Sequence, residues 1–343
     1  MRGFGSDNHS GIHPHILSAI QEANLEHAPS YGTDSWTTAV ERDFNHLFGQ
    51  PVEVYFVYNG TAANTAAIRA CTKPWQSVLC SDVAHLLVDE CGAPEFLAGV
   101  KLVSLPSQHG KINLTALKDA LIRKGDQHFS QARVVSLTQP TELGTCYTVP
   151  ELRDICEWAH SNGLLVHIDG ARIANAVVSQ QTSFQKMFSE TGVDVLSFGG
   201  TKNGLPFGEA VVFLNRTLAE DFRYLRKQMG QLPSKTRFLS AAFAAYLKND
   251  LWRNIAEHSL AQAQILAKHV QVIPQVRVTR PVQSNVVFAE IPPSWVKPLR
   301  EHYFFYVWDE KTFECRWMTS FDTAPEDIAG FAKALSSLSL NSN

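Results

Sequence analysis

The sequence predicts an α/β fold, in which a mostly parallel sheet flanked by helices is followed by a smaller C-terminal α+β domain. Short runs rich in valine and leucine alternate with helical patterns through the first half, and the chain becomes helix-rich from about residue 223. Apolar strands without strict polar alternation are typical of a sheet that is covered on both faces. We therefore expect a large domain over residues 1–235, with an N-terminal arm, and a small domain over residues 236–343.

The individual elements follow from the same patterns. Residues 35–48 place apolar side chains on one helical stripe, and Gly49 follows as a stop signal. A helical segment at 151–162 separates two apolar runs, as in a β-α-β unit. The expected strands of the large sheet are 52–58, 77–81, 101–105, 132–138, 164–169, 193–198 and 209–213. The small domain is expected to contain strands at 276–280, 285–291 and 315–319 and a closing helix at 325–338.

Composition excludes several classes of protein. The 343 residues carry a formal net charge of −3 with mixed signs, so neither nucleic acid nor an anionic membrane is an expected partner. The six cysteines form no C-x-x-C pair, which argues against a zinc site and favours reduced thiols in the cytoplasm. No apolar signal region is seen, and the longest nearly apolar stretch, 238–247, is too short to span a bilayer. We expect no metal, and His9, His13 and His15 are expected to be solvated.

Two motifs place opposite charges after neighbouring strands. VHIDGARIANA (166–176) ends an apolar run in Asp169, and the carboxyl ends of strands face the ligand crevice in open α/β sheets. Alone, such an aspartate more often caps the next helix. VDVLSFGGTKNGLPFG (193–208) flanks Lys202 with glycines, which permit close backbone approach to a ligand, although a surface lysine in a turn is the commoner case. About one β-α-β unit separates Asp169 from Lys202, so both could reach one crevice.

A third motif is typical of a phosphate site. YNGTAANTAAIRA (58–70) joins a strand to a helix through Gly60 and Thr61, and amides at a helix N-terminus bind phosphate, although an ordinary turn is equally compatible. No dinucleotide or P-loop motif is found. A cofactor with a phosphate, a ring nitrogen to keep protonated and an aldehyde to condense with an amine fits all three motifs. Pyridoxal 5′-phosphate (PLP) is that cofactor.

Six segments resemble those of the low-specificity L-threonine aldolases, and they occur in the same order along the chain. These enzymes belong to the β-eliminating lyase group in the PLP-dependent aspartate-aminotransferase fold (fold type I). The resemblance is nearly end to end and is strongest for bacterial enzymes that also cleave phenylserine. It implies cleavage of L-threonine, L-allo-threonine and related β-hydroxy-α-amino acids to glycine and an aldehyde, in a homo-oligomer (dimer or tetramer) with sites at subunit interfaces. The segments are SDNHSGIHP (6–14), PSYGTD (29–34), YNGTAAN (58–64), AHLLVDECGAP (84–94), HIDGARIANAVV (167–178) and SFGGTKNG (197–204).

The resemblance also implies roles for individual residues. Lys202 would form the Schiff base, Asp169 would pair with the ring nitrogen and His85 would stack on the ring, sharing with His128 the role of base. The catalytic set is Lys202, His85, His128, Asp169 and Glu90. The cofactor-binding set is Gly60, Thr61, His85, Asp169, Arg172 and Lys202. The substrate-binding set is Ser6, Tyr31, Arg172 and Arg316.

The sequence also departs from the family pattern and leaves alternatives open. Ala62 follows Thr61 where a glutamine is common, and TQPTELG (138–144) replaces a more widespread Glu-Asn-Thr pattern, so the preferred aldehyde side chain stays open. An aminotransferase or another β-eliminating lyase would use the same cofactor and fold. A catalytically inactive interaction protein is a further alternative, against which the combined presence of Asp169, Arg172, Lys202 and Arg316 argues.

Overall fold

The computed structural model describes residues 2–340, which form two β-sheets and the helices around them. The strands are β1 (Glu53–Val57), β2 (Gln76–Ser81), β3 (Lys101–Leu105), β4 (Gln131–Thr138), β5 (Leu165–Gly170), β6 (Val195–Phe198), β7 (Glu209–Phe213), β8 (Arg277–Val278), β9 (Val286–Glu290), β10 (Tyr306–Asp309) and β11 (Glu314–Met318). The α-helices are α1 (Pro14–Ala23), α2 (Ser35–Phe48), α3 (Gly60–Cys71), α4 (His85–Val88), α5 (Leu114–Ala120), α6 (Val149–Ser161), α7 (Ile173–Ser179), α8 (Phe222–Gln228), α9 (Arg237–Leu247), α10 (Leu251–Val270), α11 (Pro293–Arg300) and α12 (Pro325–Leu340).

The large sheet confirms the predicted fold class and adds one reversal of direction. Its seven strands run in the order β1-β7-β6-β5-β4-β2-β3, and the pairs from β6 to β3 are parallel. Strand β7 is antiparallel to both β1 and β6. Strands β1, β4, β5 and β6 therefore point the same way, and their last residues share one edge of the sheet, called here the carboxyl edge.

Both faces of the large sheet are covered, as the apolar strands predict. Neighbouring strand residues point to opposite faces. Ile168 and Phe198 pack with α1, α2, α6, α7 and α9 on one face. Val195 and Val211 pack with the alanine-rich helix α3 and with α8 on the other. Asp169, which follows Ile168 in β5, consequently faces the side of α3.

The small sheet has its own core and receives the start of the chain. Its four strands run in the order β10-β11-β9-β8, all antiparallel, and Trp317 and Phe331 are buried beside them. Phe4 lies in the same core, and its backbone N–H donates to the Phe304 carbonyl at 2.7 Å. Helix α9 packs in the core of the large sheet, and the domain boundary after residue 235 stays a prediction.

Within residues 2–340, the helices are too short or too polar for any of them to cross a membrane.

Candidate active site

The predicted lysine and aspartate meet at the carboxyl edge. Asp169 lies near the end of β5, and Lys202 lies in a short 3₁₀ turn, Thr201–Asn203, that follows β6. The positive charge of Arg172 and then burial lower the pKa of Lys202, while Asp7, Asp169 and Glu209 oppose the shift. A lowered pKa increases the fraction of neutral amine, which is the nucleophilic form.

The glycines before Lys202 are required by packing against the neighbouring strand. A Cβ at Gly199 would collide with the backbone of Ala171, and a Cβ at Gly200 would lie 2.6 Å from the Gly208 carbonyl oxygen. The N–H of Gly199 also donates to the Gly170 carbonyl at 3.0 Å. Close packing against Ala171 and Gly208 therefore holds the lysine turn beside the segment that follows Asp169, and close approach of these glycines to a ligand stays a prediction.

Asp169 is buried among N–H donors. Its Oδ1 accepts from the backbone N–H of Ala171 at 3.1 Å, and its Oδ2 accepts from Nδ2 of Asn64 at 2.8 Å. Helix α7 begins at Ile173 with no side-chain cap, so Asp169 does not cap it. Within residues 2–340 this carboxylate has no lysine or arginine ion-pair partner at 4.0 Å or less.

A chain of hydrogen bonds connects Asp169 to His85. Asn64 also donates from Nδ2 to Glu90 Oε1 at 2.8 Å, and the same oxygen lies 2.9 Å from His85 Nδ1. The hydrogen bond with Glu90 raises the pKa of His85, and this effect outweighs burial, which lowers it. Ligand atoms of His85, Glu90 and Asp169 lie within 4.8 Å of one another, a spacing that a metal ion could bridge. The Asn64 amide already bridges the two carboxylates.

Arg172 is held from the N-terminal arm by a residue that the sequence did not single out. Its Nε donates to Asp7 Oδ2 at 2.6 Å and its Nη2 to Asp7 Oδ1 at 2.9 Å. Burial raises the pKa of Asp7, but the charge and hydrogen bond of Arg172 outweigh it, and the pKa lies below its usual value. Asn285 from the small-domain side donates to the same carboxylate at 3.0 Å. The pair with Asp7 uses Nε and Nη2 of Arg172 and leaves Nη1 for another partner.

Arg316 and Ser6 come close to the same point. Nη2 of Arg316 donates to the Gly5 carbonyl at 3.3 Å, and its buried Nε has no hydrogen-bond partner among the described residues. Burial and then the charge of Arg172 lower the pKa of Arg316, because two cations share this region. Ser6 begins the short 3₁₀ helix Asp7–His9, and its Oγ accepts from the Asn8 N–H at 3.2 Å. Two nearby guanidinium groups suit a carboxylate ligand.

The N-terminus of α3 is open at the same edge. Asn59 caps this 12-residue helix by accepting from the Ala62 N–H at 2.9 Å, and the Ala63 N–H makes the first bond to the Asn59 carbonyl at 3.1 Å. No atom lies within 4 Å of the Cβ position of Gly60. The N–H groups of Gly60 and Thr61 belong to the first turn of the helix and have no acceptor within it, so they are available to a phosphate.

Two predicted residues are not brought to this cluster within the chain. His128 is exposed and precedes the start of β4, whereas Thr138 at the end of β4 pairs with Asp169. The eight residues of β4 span seven steps, about 23 Å at the rise of a strand, so His128 and Thr138 lie at opposite ends of this strand. Within one chain His128 therefore lies away from Asp169, and its predicted role near the reacting hydroxyl stays a prediction. Tyr31 is exposed and packs under Lys227, whose Nζ lies 5.4 Å from the ring centroid.

Two buried carboxyl groups of the site were also missed. Burial raises the pKa of Glu142 to about 7 and that of Glu209 to about 7. Glu142 Oε1 accepts from the His85 N–H at 2.8 Å, and Glu209 Oε2 accepts from the Gly200 N–H at 2.5 Å. Glu142 therefore fixes the backbone of His85, and Glu209 fixes the backbone two residues before Lys202. The departure at 138–144 could have drawn attention to Glu142, whereas Glu209 starts an ordinary apolar strand.

Comparisons with known proteins agree with this geometry. A family model described as beta-eliminating lyase matches residues 3–292. The low-specificity L-threonine aldolase of Pseudomonas aeruginosa is 42% identical over 328 residues, which cover 94% of this chain and 95% of that protein. The enzyme of the same name from a second Pseudomonas strain is 41% identical and covers 92% of this chain and 93% of its own length. A solved threonine aldolase structure from Leishmania major superposes with a TM-score of 0.94 at 29% identity, covering 99% of this chain and 100% of that one.

Proposed function

Since the chain belongs to the β-eliminating lyase family, we propose that the cluster at the carboxyl edge binds PLP and a β-hydroxy-α-amino acid. The predicted activity, PLP-dependent cleavage of threonine to glycine and an aldehyde, is confirmed by likeness to L-threonine aldolases over nearly the whole chain. The observation that carries the assignment of residues is that Lys202 and Asp169 lie at the same edge of the sheet, where Asp169 is a buried carboxylate without an ion-pair partner among the described lysines and arginines.

The side chains fit the cofactor group by group. When bound, PLP supplies a protonated pyridine ring that accepts the electron pair of a breaking bond at the α-carbon. Lys202 would hold the cofactor through its amine, whose lowered pKa favours the neutral form. Asp169 would keep the ring nitrogen protonated, and His85 would lie against the ring. The free N–H groups of Gly60 and Thr61 would hold the phosphate.

The substrate would be held by its carboxylate. Arg316, with Nε free of partners among the described residues, and Ser6 would bind that group. Arg172 would contribute the N–H groups that its pair with Asp7 leaves unused. These groups would bind either the ring oxygen of the cofactor or the carboxylate of the substrate. A planar guanidinium holds a carboxylate by two parallel hydrogen bonds, which fixes the direction of the α-carbon.

His85 would take the proton of the β-hydroxyl. Its Nδ1 is bound to Glu90, so an imidazole that donates from Nδ1 offers Nε2 as the proton acceptor. Glu90 holds the positive charge that forms when the proton arrives. His128, on the opposite edge of the sheet, is not proposed for this role in the same chain.

We also propose that the chain forms a homo-oligomer next to this site. Val88, Phe96 and Leu97 are exposed around Glu90, and Phe96 is 86% accessible. An apolar patch of this kind marks a protein contact, and a second copy would cover the edge of the site. Phe96→Glu should shift the mass measured by light scattering toward that of one chain. An unchanged mass would place the interface elsewhere.

A cytoplasmic location is proposed on the state of the cysteines. All six are free thiols, and only Cys91 among them is exposed. Reduced, unpaired cysteines are typical of proteins from reducing compartments.

Product analysis tests the activity. L-threonine or L-allo-threonine without a keto acid should give glycine and acetaldehyde in equal amounts, and phenylserine should give benzaldehyde. D-isomers should be inert because one face of the bound substrate meets the base. If no aldehyde forms, the aldolase reaction is contradicted. Release of ammonia and 2-oxobutanoate would indicate elimination, and a strict need for a keto acid would indicate transamination.

A further inference from the structure

Asn64 lies between two carboxylates at the centre of the site. It is 2% exposed, and its Nδ2 donates to Asp169 Oδ2 and to Glu90 Oε1, each at 2.8 Å. Both neighbours are acceptors, so the amide can only be oriented with its nitrogen between them. The two hydrogens of one NH₂ group thus serve two different carboxylates. Its Oδ1 is buried without a hydrogen-bond partner among residues 2–340.

We propose that Asn64 is a positioning residue that holds Asp169 and Glu90 side by side as carboxylates and, through Glu90, fixes the imidazole of His85. The proposal rests on the proposed function for what these groups do to the cofactor and substrate. The hydrogen bonds of Asn64 to Asp169 and Glu90 do not depend on the proposed function.

The electrostatic argument concerns the two carboxylates. Two carboxylates this close repel each other, and an N–H donor between them offsets that repulsion. Asn64 supplies one N–H to each group. Glu90 Oε2 is buried without a partner among the described residues, so loss of the amide would leave Glu90 with His85 alone. The carboxylate of Glu90 would then turn away from Asp169 and from its place against Nδ1 of His85.

The consequence reaches His85. While Glu90 Oε1 stays against Nδ1 of His85, Nε2 is free to receive a proton, whereas a Glu90 side chain that turns away releases the imidazole. The charged groups that act on the ring are Glu90 and Asp169, which raise its pKa, and Lys202, which lowers it. Glu142 contacts His85 through the backbone N–H of that residue and not through the ring, and it also accepts from Thr138 Oγ1 at 2.7 Å.

The position of Asn64 in helix α3 indicates no other role for its side chain. It lies in α3 among buried alanines, including Ala63 and Ala67, where an apolar side chain would be the ordinary choice. A buried amide costs free energy unless its donors are satisfied. The donors of Asn64 are satisfied only by the two carboxylates of the site.

The test uses protein labelled with nitrogen-15 at histidine, first freed of cofactor. In Asn64→Ala, the pKa of His85 measured by NMR should fall by about 1 pH unit, because the hydrogen bond with Glu90 that raises it is weakened. Its Nδ1–H signal should weaken as the tautomer is released. Asn175→Ala is the matched control, since Asn175 is equally buried but donates to Ser259 Oγ at 2.9 Å. It should leave both signals unchanged.

Asn64→Asp, which keeps the shape, covers the case in which the alanine variant does not fold. The introduced carboxyl can donate one hydrogen bond when protonated and none when ionised. The bound cofactor's absorbance and kcat should therefore gain an ionisation that the wild type lacks, with kcat falling as pH rises through it. A His85 pKa and tautomer equal to wild type, together with an unaltered pH profile, would overturn the proposal. A His85 shift in a protein without aldolase activity would instead contradict the proposed function alone.

Discussion

Asp7 and Arg172 form a buried two-point ion pair, with nitrogen–oxygen distances of 2.6 and 2.9 Å, that ties the N-terminal arm to the end of the large sheet. Asn285 donates to the same carboxylate, so three separate parts of the chain meet at one group. The arm thereby brings Ser6 next to Arg172 and Arg316. Substrate binding and the docking of the arm are expected to depend on one another.

Asp7→Asn should show this dependence. Removing the charge leaves Arg172, whose side chain is 21% exposed, without its counter-ion. Breaking a fully buried pair commonly costs about 3–5 kcal/mol of unfolding free energy, and the partial exposure places the expected loss at the lower end of that range. KM for threonine should rise more than kcat falls. Urea unfolding and steady-state kinetics measure both effects. Glu53→Gln, which breaks the exposed pair with Arg216, is the control and should cost less than about 1 kcal/mol.

The same pair gives stability a predictable dependence on pH. The pKa of Asp7 is lowered on folding, so its contribution is present above the pKa of the unfolded chain and is lost as pH falls through the folded value. Wild type and Asp7→Asn should converge in unfolding free energy on the acid side. A constant difference at every pH would mean that Asp7 is not ionised in the native protein.

Glu90→Gln should move the acid limb of kcat/KM. Glu90 is the main cause of the raised pKa of His85, and only neutral His85 can accept the hydroxyl proton. Without the charge, His85 loses its proton at lower pH, so the limb should shift to lower pH, and the weaker base should lower the maximum rate. A pH–rate profile checks this. A limb that stays in place would assign the base to another group.

Gly199→Ala should displace Lys202 without touching the cofactor. The added methyl would collide with the backbone of Ala171, so the lysine turn must move away from Asp169. A displacement of about 1 Å can cost about 100-fold in kcat/KM. Gly11→Ala is the control, because its Cβ position has no atom within 4 Å. Equal activity in the two variants would show that the turn adapts.

Much of the site could be predicted because the decisive residues stand directly after strands. The apolar runs predict β3 and β7 with the bounds that the structure has. The direction of β7 could not be predicted, since an apolar strand reads alike in both directions. The roles of Asn64 and Asp7 could not be predicted, because their partners are distant in sequence and an isolated polar residue carries no local signal. His128 was placed by resemblance alone, which says nothing about which edge of the sheet a loop occupies.

Reduction of the purified enzyme with borohydride tests the central claim most directly. The protein should be yellow as purified, lose its colour on reduction and carry one pyridoxyl group. Peptide mapping by mass spectrometry should place that group on Lys202, and Lys202→Ala should neither bind the label nor cleave threonine. A label on Lys227 or Lys235, or a colourless protein that takes up no PLP, would contradict the account.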